Sequence, residues 1–148
     1  MPALESAILF RCGPARFDRA LLRKFAGTLQ HELAGGRSFT CLIARDADLE
    51  SLNHRFLGKD YPTDVLSFPS GARDGFLGEL AISLDRARIQ ATEHNHNLED
   101  ELRILILHGV LHLMGLDHER DGGRMRRVET RWRKALHLPV GLIERAGA

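Results

Sequence analysis

Three histidines between residues 108 and 118 form the pattern in this sequence that is best suited to chemistry. His108 and His112 are four residues apart, and His118 follows six residues after His112. Residues four apart lie on one face of a helix, so two imidazole nitrogens can face the same point. A third histidine completes a zinc site with an open fourth position, as catalytic zinc sites have. We therefore predict one zinc ion per chain, held by His108, His112 and His118.

The residues around this pattern favour a metal site over histidines brought together by chance. The segment Ile104 to Leu107 is entirely apolar, which indicates a buried helix. Imidazoles buried there need polar partners, because an unsatisfied buried polar atom is costly. A metal supplies one partner, and Asp117 or backbone carbonyls are candidates for the outer ring N–H groups. Cys12 and Cys41 have no metal-binding spacing, and we expect buried, reduced thiols.

The rest of the chain predicts an α+β fold, loosely α/β, with about four strands in a mixed sheet and about five helices. The zinc site would lie on a buried helix and its following loop. Short β-rich runs bounded by turn residues predict the strands Glu5–Phe10, Ser38–Ala44, Val65–Phe68 and Leu77–Ser83, the last two as hairpin neighbours. Helical periodicity predicts helices at Asp18–Leu33 and at about Gly122–Leu136. Capping residues predict the starts of three more: one capped by Asp46, one that begins at Ser83 or Asp85 and runs to about His96, and one at Leu102–Met114 that follows a capping box at Asn97.

Composition predicts one soluble domain spanning residues 1–148. The hydrophobic fraction is 43% and the charged fraction 28%, both typical of globular proteins. No apolar run is long enough for a membrane span of about 20 residues, and the first ten residues lack a secretory pattern, so we expect a cytoplasmic protein. The net charge of +1 means that any attraction to nucleic acid must be local.

The spacing HxxxHxxGxxH is also that of the metzincin proteases, in which a glutamate follows the first histidine and acts as general base. Here Gly109 occupies that position. A peptidase of that type would lack the group that takes the proton from the attacking water. The sequence therefore favours the metal and argues against that protease mechanism.

Three blocks of the sequence resemble the YbeY family of bacterial endoribonucleases, also described as ribosomal RNA maturation factors. They are GKDYPTDVLSFP (Gly58–Pro69), LGELAIS (Leu77–Ser83) and HGVLHLMGLDH (His108–His118). The resemblance implies a zinc-dependent, single-strand-specific endoribonuclease that acts in 16S rRNA maturation and ribosome quality control. Its implied partners are single-stranded RNA, the 16S rRNA precursor and the ribosome or its small subunit, with no membrane partner.

One position departs from the family pattern. Family members commonly carry an arginine, thought to contact RNA, two residues before Lys59, whereas this chain has Leu57. Arg55 lies two residues earlier, and on a helix that shift turns it to another face. We take Arg55, Lys59 and Asp117 as catalytic candidates, with Lys59 expected to line the cleft and Asp117, Glu119 or a second water as the possible general acid.

A basic segment follows the histidine pattern and is a candidate RNA-backbone contact, although a solvated helix face explains it equally well. It contains Arg120, Arg124, Arg126, Arg127, Arg131, Arg133 and Lys134 against Asp121 and Glu129. Two other functions stay open at this point. One is a ribosome assembly factor in which the zinc is mainly structural, and the other is a metallopeptidase with a carboxylate from elsewhere.

Overall fold

The computed structural model describes residues 5–58, 63–71, 73–117 and 120–146, which form a mixed four-stranded sheet packed with helices. The strands are β1 (Ala7–Arg11), β2 (Ser38–Ala44), β3 (Val65–Pro69) and β4 (Phe76–Ser83). Their order is β1-β2-β4-β3, in which β1, β2 and β4 run parallel and β3 pairs antiparallel with β4. The predicted mixed sheet and the hairpin pairing of its last two strands are confirmed.

Six α-helices occur in the described part of the chain, one more than the sequence predicted. They are α1 (Arg19–Thr28), α2 (Asp46–Leu57), α3 (Leu84–Glu93), α4 (Leu98–Leu113), α5 (Arg124–Ala135) and α6 (Leu142–Ala146). A π-helical turn, Leu29–Leu33, extends α1, and a 3-10 turn, Arg73–Gly75, precedes β4. The additional helix is α6, which is too short for its periodicity to predict it.

The two faces of the sheet pack against different helices. Along β4 the side chains alternate, so Leu80 and Ile82 join the larger core with α4 while Ala81 joins a smaller cluster with Leu49 of α2. From Ile104 to Leu111 every residue of α4 is buried. The helix that carries the histidine pair is therefore held rigidly against the sheet, as its apolar sequence predicted.

Side-chain caps fix where the helices begin. The side chains of Asp18, Ser83 and Asn97 accept the backbone N–H groups that open α1, α3 and α4. The prediction that Asp46 caps α2 was wrong, because Asp46 is the first helical residue and Arg45 is the cap. The Asp46 carboxylate instead accepts the Ser83 hydroxyl at 2.7 Å, which joins the start of α2 to the end of β4.

Cys12 and Cys41 are both buried and free of disulfide bonds, as predicted. Burial raises the pKa of the Cys41 thiol to about 12, so this thiol is inert at neutral pH. None of the helices within the described ranges is both long and apolar enough to cross a membrane.

Candidate metal centre and its cleft

His108 and His112 face each other one turn apart near the end of α4. Their Nε2 atoms are 3.1 Å apart, and their ring centroids are separated by 4.7 Å in an edge-on arrangement. His108 is buried among core residues, whereas His112 is half-buried. Gly115 ends the turn after the helix in the left-handed conformation, with φ of 94°.

The other ring nitrogen of His108 contacts a carboxylate of α5. His108 Nδ1 lies 2.7 Å from Oε2 of Glu129, and both side chains are buried. Because a carboxylate accepts hydrogen bonds and does not donate them, Nδ1 of His108 carries the proton. The lone pair of the ring is then on Nε2, the atom that faces His112.

The two imidazoles fit the predicted zinc ion. Two nitrogens that share a tetrahedral zinc at about 2.0–2.1 Å lie about 3.3 Å apart, which is close to the 3.1 Å between the two Nε2 atoms. Within the described ranges no three His, Cys, Asp or Glu side chains are grouped so that they could hold a metal. His118, the predicted third ligand, lies outside the described residues.

An open cleft of about 630 Å³ borders the two histidines. One wall comes from the end of α4 and the turn after it, and the other from β3 and the end of α2. The described lining residues are Leu57, Asp64, Val65, Leu66, Ser67, Pro69, His108, His112, Gly115, Leu116, Asp117 and Leu142. The cleft therefore joins the TDVLSFP block to the histidine block, although residues 70–107 lie between them in the sequence.

Gly109 lies where α4 packs against the sheet. A Cβ at this position would be 2.6 Å from Cδ2 of Leu80, so any side chain there would displace Leu80 in β4. The Gly109 carbonyl accepts the Ser67 hydroxyl at 3.4 Å. Position 109 thus faces the sheet, and a glutamate there would point at Leu80, which adds a packing reason to the sequence argument against a metzincin mechanism.

Comparison with known families decides the class of the protein. The family model described as endoribonuclease YbeY matches residues 16–137. The chain belongs to the YbeY endoribonuclease family. The predicted family and the predicted enzyme class, a hydrolase acting on RNA, are thereby confirmed.

Curated family members align over most of this chain. A YbeY endoribonuclease of Solibacter usitatus is 56% identical over 95% of this chain and 94% of its own length. One from Helicobacter pylori strain Shi470 is 40% identical over 90% of this chain and 93% of its own. The solution structure of a Thermotoga maritima protein is 26% identical, with a TM-score of 0.59 over 84% of this chain and 85% of that one.

The catalytic candidates fall in different places. Asp117 lines the cleft beside His112. Arg55 is exposed near the end of α2, with its guanidinium carbon 5.9 Å from the centre of the Phe56 ring, and it is not among the described residues that line the cleft. Leu57 does line it. Lys59 and Glu119 lie outside the described residues.

Most of the basic segment lies on α5, where three of its arginines form an exposed stripe. Arg124, Arg127 and Arg131 are exposed at helical spacing, and no carboxylate in the described part of the chain pairs with them. Arg133 differs, because it hydrogen-bonds Glu144 and thereby holds the pKa of that carboxyl below its usual value. Three exposed arginines that form no ion pair with a described carboxylate give this helix a local positive surface.

Sequence reasoning missed Glu129, which it counted only as an acid within the basic segment. A signal was present, since Glu129 shares its helix face with Met125 and Trp132, on the side opposite Arg124, Arg127 and Arg131. A lone carboxylate on the apolar face of a helix predicts a buried polar partner.

Proposed function

We propose that this protein is a zinc-dependent, single-strand-specific endoribonuclease that acts in 16S rRNA maturation and ribosome quality control. Its substrate would be the 16S rRNA precursor, met on the ribosome or its small subunit, and residues 1–148 would form one catalytic domain. The observation that carries the proposal is the pair of Nε2 atoms of His108 and His112, 3.1 Å apart at the edge of an open cleft. Membership of an endoribonuclease family supports the reaction class.

The candidate residues have separate roles in this proposal. His108, His112 and His118 hold the zinc, and Asp117 is the candidate for proton transfer beside it. When bound, the zinc would activate water or polarise a phosphoryl oxygen at neutral pH without a strong base. The absence of a carboxylate at Gly109 is compatible with that chemistry. Arg55 and Lys59 are the candidates for holding the RNA backbone.

The deciding experiment incubates precursor 16S RNA with the purified protein and with His112→Ala. We expect the wild-type protein to cleave single-stranded regions and the variant to lose cleavage, because it has lost one of three ligands. His31→Ala is the matched control, since His31 is exposed on the π-helical turn after α1. Equal cleavage by His112→Ala and wild type would remove the histidine cleft from the reaction.

One observation favours a second function, a ribosome assembly factor whose zinc is mainly structural. The cleft is lined by the apolar side chain of Leu57, at the position where the family commonly has arginine. An apolar side chain cannot bind a phosphate. Ribosome binding that survives zinc removal, with precursor RNA left uncut by the wild-type protein, would support this function over the nuclease.

A further inference from the structure

Glu129 is a buried carboxylate on the inner face of α5, the helix whose outer face carries the exposed arginines. Its relative exposure is 1%, and Met125 on the same face is fully buried. Moving a carboxylate out of water costs several kcal/mol unless its oxygens find partners. That cost is comparable with the free energy of unfolding of a whole domain. A residue kept there needs a structural or functional reason.

The two oxygens of Glu129 are divided between the metal centre and the C-terminal segment. Oε2 accepts from Nδ1 of His108 at 2.7 Å, and Oε1 accepts from the backbone N–H of Ile143 at 2.9 Å. Gly141 closes over the same oxygen, since a Cβ there would be 2.4 Å from Oε1. The carboxylate is therefore fixed from two sides and cannot rotate away from His108 without losing a backbone hydrogen bond.

This arrangement determines which nitrogen of His108 is available to a metal. A neutral imidazole has one N–H and one lone pair, and a metal binds the lone pair. With Nδ1–H directed at Glu129, the lone pair lies on Nε2, on the side of His112 and the cleft. The opposite tautomer would place a proton between the ring and the metal position.

We propose that Glu129 is the positioning residue of the metal centre: it holds His108 in the Nδ1–H tautomer and its ring in the orientation for zinc, and Gly141–Ile143 hold Glu129. The inference rests on the proposed zinc chemistry of the site. It assigns a function to a residue that touches neither the RNA nor the metal.

Replacement by glutamine tests the proposal sharply, because an amide cannot accept on both sides. If the glutamine oxygen accepts from Ile143, its NH₂ group faces His108 Nδ1 and favours the tautomer with the proton on Nε2. If the oxygen accepts from His108, the NH₂ group opposes the backbone N–H of Ile143. Either state weakens the zinc site, although the side chain keeps its shape.

The experiment compares wild type, Glu129→Gln and Glu144→Gln after removal of metal and titration with zinc. Glu144→Gln is the matched control, because Glu144 directly follows Ile143 in α6 but pairs with Arg133 instead of a histidine. Zinc affinity comes from competition with a chelator, and ¹⁵N shifts of the His108 ring in the metal-free protein report the tautomer. We expect Glu129→Gln to lose about tenfold to a hundredfold in zinc affinity and to populate Nε2–H, and the control to match wild type.

Gly141→Ala supplies a second variant in case Glu129→Gln does not fold. It leaves the carboxylate intact but forces Oε1 to move, and we expect zinc affinity to fall at least threefold. Zinc affinity within threefold of wild type in both variants, with an unchanged His108 tautomer, would overturn the proposal, as would a wild-type protein that binds no zinc. RNA cleavage is assayed separately on the same samples. Loss of zinc affinity in a protein that cuts no RNA would refute the nuclease and leave the role of Glu129 standing.

Discussion

Arg145 of α6 forms a two-pronged ion pair with Glu101 in the first turn of α4, although 44 residues separate them. The guanidinium nitrogens lie 2.9 and 2.6 Å from the two carboxylate oxygens. His96 and Gln90 also contact this carboxylate, at 2.6 and 2.8 Å, and Glu101 is fully buried. The pair therefore fixes the C-terminal helix to the helix that carries His108 and His112.

Removing the cation of this pair should destabilise the protein strongly. Arg145→Ala leaves the buried Glu101 carboxylate without its charged partner, and loss of one partner of a buried pair typically costs about 3 kcal/mol. Urea denaturation measures the change in the free energy of unfolding. Arg86→Ala is the control, since Arg86 pairs with Asp46 where both side chains are at least one-third exposed, and it should cost less than about 1 kcal/mol. Equal costs for the two variants would mean that burial of the Glu101 pair contributes nothing.

The same carboxylate predicts how stability depends on acid pH. Burial alone would raise the pKa of Glu101, but hydrogen bonds from Arg145, His96 and Gln90 outweigh it and hold the pKa below the ordinary 4.5. A depressed folded-state pKa contributes stability above the unfolded value, and this contribution is lost as pH falls below 4.5 toward the folded value. The free energy of unfolding should therefore fall less steeply below that pH in Glu101→Gln than in wild type. Parallel curves for the two proteins would contradict the assignment.

Metal analysis tests the histidine ligands directly. Protein purified without chelator should contain close to one zinc per chain, because neutral imidazoles with an open position suit zinc. His108→Ala, His112→Ala and His118→Ala should each lower that content, whereas the exposed His31→Ala should not. Mass spectrometry of metals gives the stoichiometry. Unchanged zinc in all three ligand variants would place the metal elsewhere.

The exposed stripe of α5 should contribute to RNA affinity through its charge. Replacing Arg124, Arg127 and Arg131 by glutamine should weaken binding of single-stranded RNA and flatten its dependence on salt while zinc stays bound. Each lost phosphate contact makes the slope of log affinity against log salt less steep by about 0.7, so the loss of three contacts should reduce its magnitude by about 2. Fluorescence anisotropy at several salt concentrations measures the slope, and an unchanged slope would make the stripe an ordinary solvated face.

Position 57 should respond to a restored arginine. Because Leu57 lines the cleft, Leu57→Arg places a guanidinium where it can stabilise charge on the scissile phosphate, and single-stranded RNA cleavage should rise by up to about a hundredfold. Leu57→Gln controls for polarity without charge, and zinc content should be unchanged in both. If Arg55 already supplies this charge, Arg55→Ala should lose most activity and Leu57→Arg should restore part of it. Wild-type rates in every variant would exclude a catalytic arginine at this turn.

The sequence by itself determined the local elements and the histidine pair. Strand β2 has the predicted bounds, Asn97 and Ser83 cap the predicted helices, and the four-residue spacing of His108 and His112 brings their rings together. These features depend on periodicities and hydrogen bonds within a few residues, so neighbouring sequence is enough to encode them. The family resemblance was carried by the same short blocks.

Only the tertiary structure decided what surrounds that pair. Glu129 contacts His108 across 21 residues, Leu57 reaches the cleft from α2, and Arg145 holds Glu101 from a helix too short to predict. A carboxylate in a basic segment has the same local sequence whether it faces solvent or a histidine. Which of the two occurs depends on how α5 packs on α4, and that packing is set by the shape of the whole core rather than by any single stretch of chain.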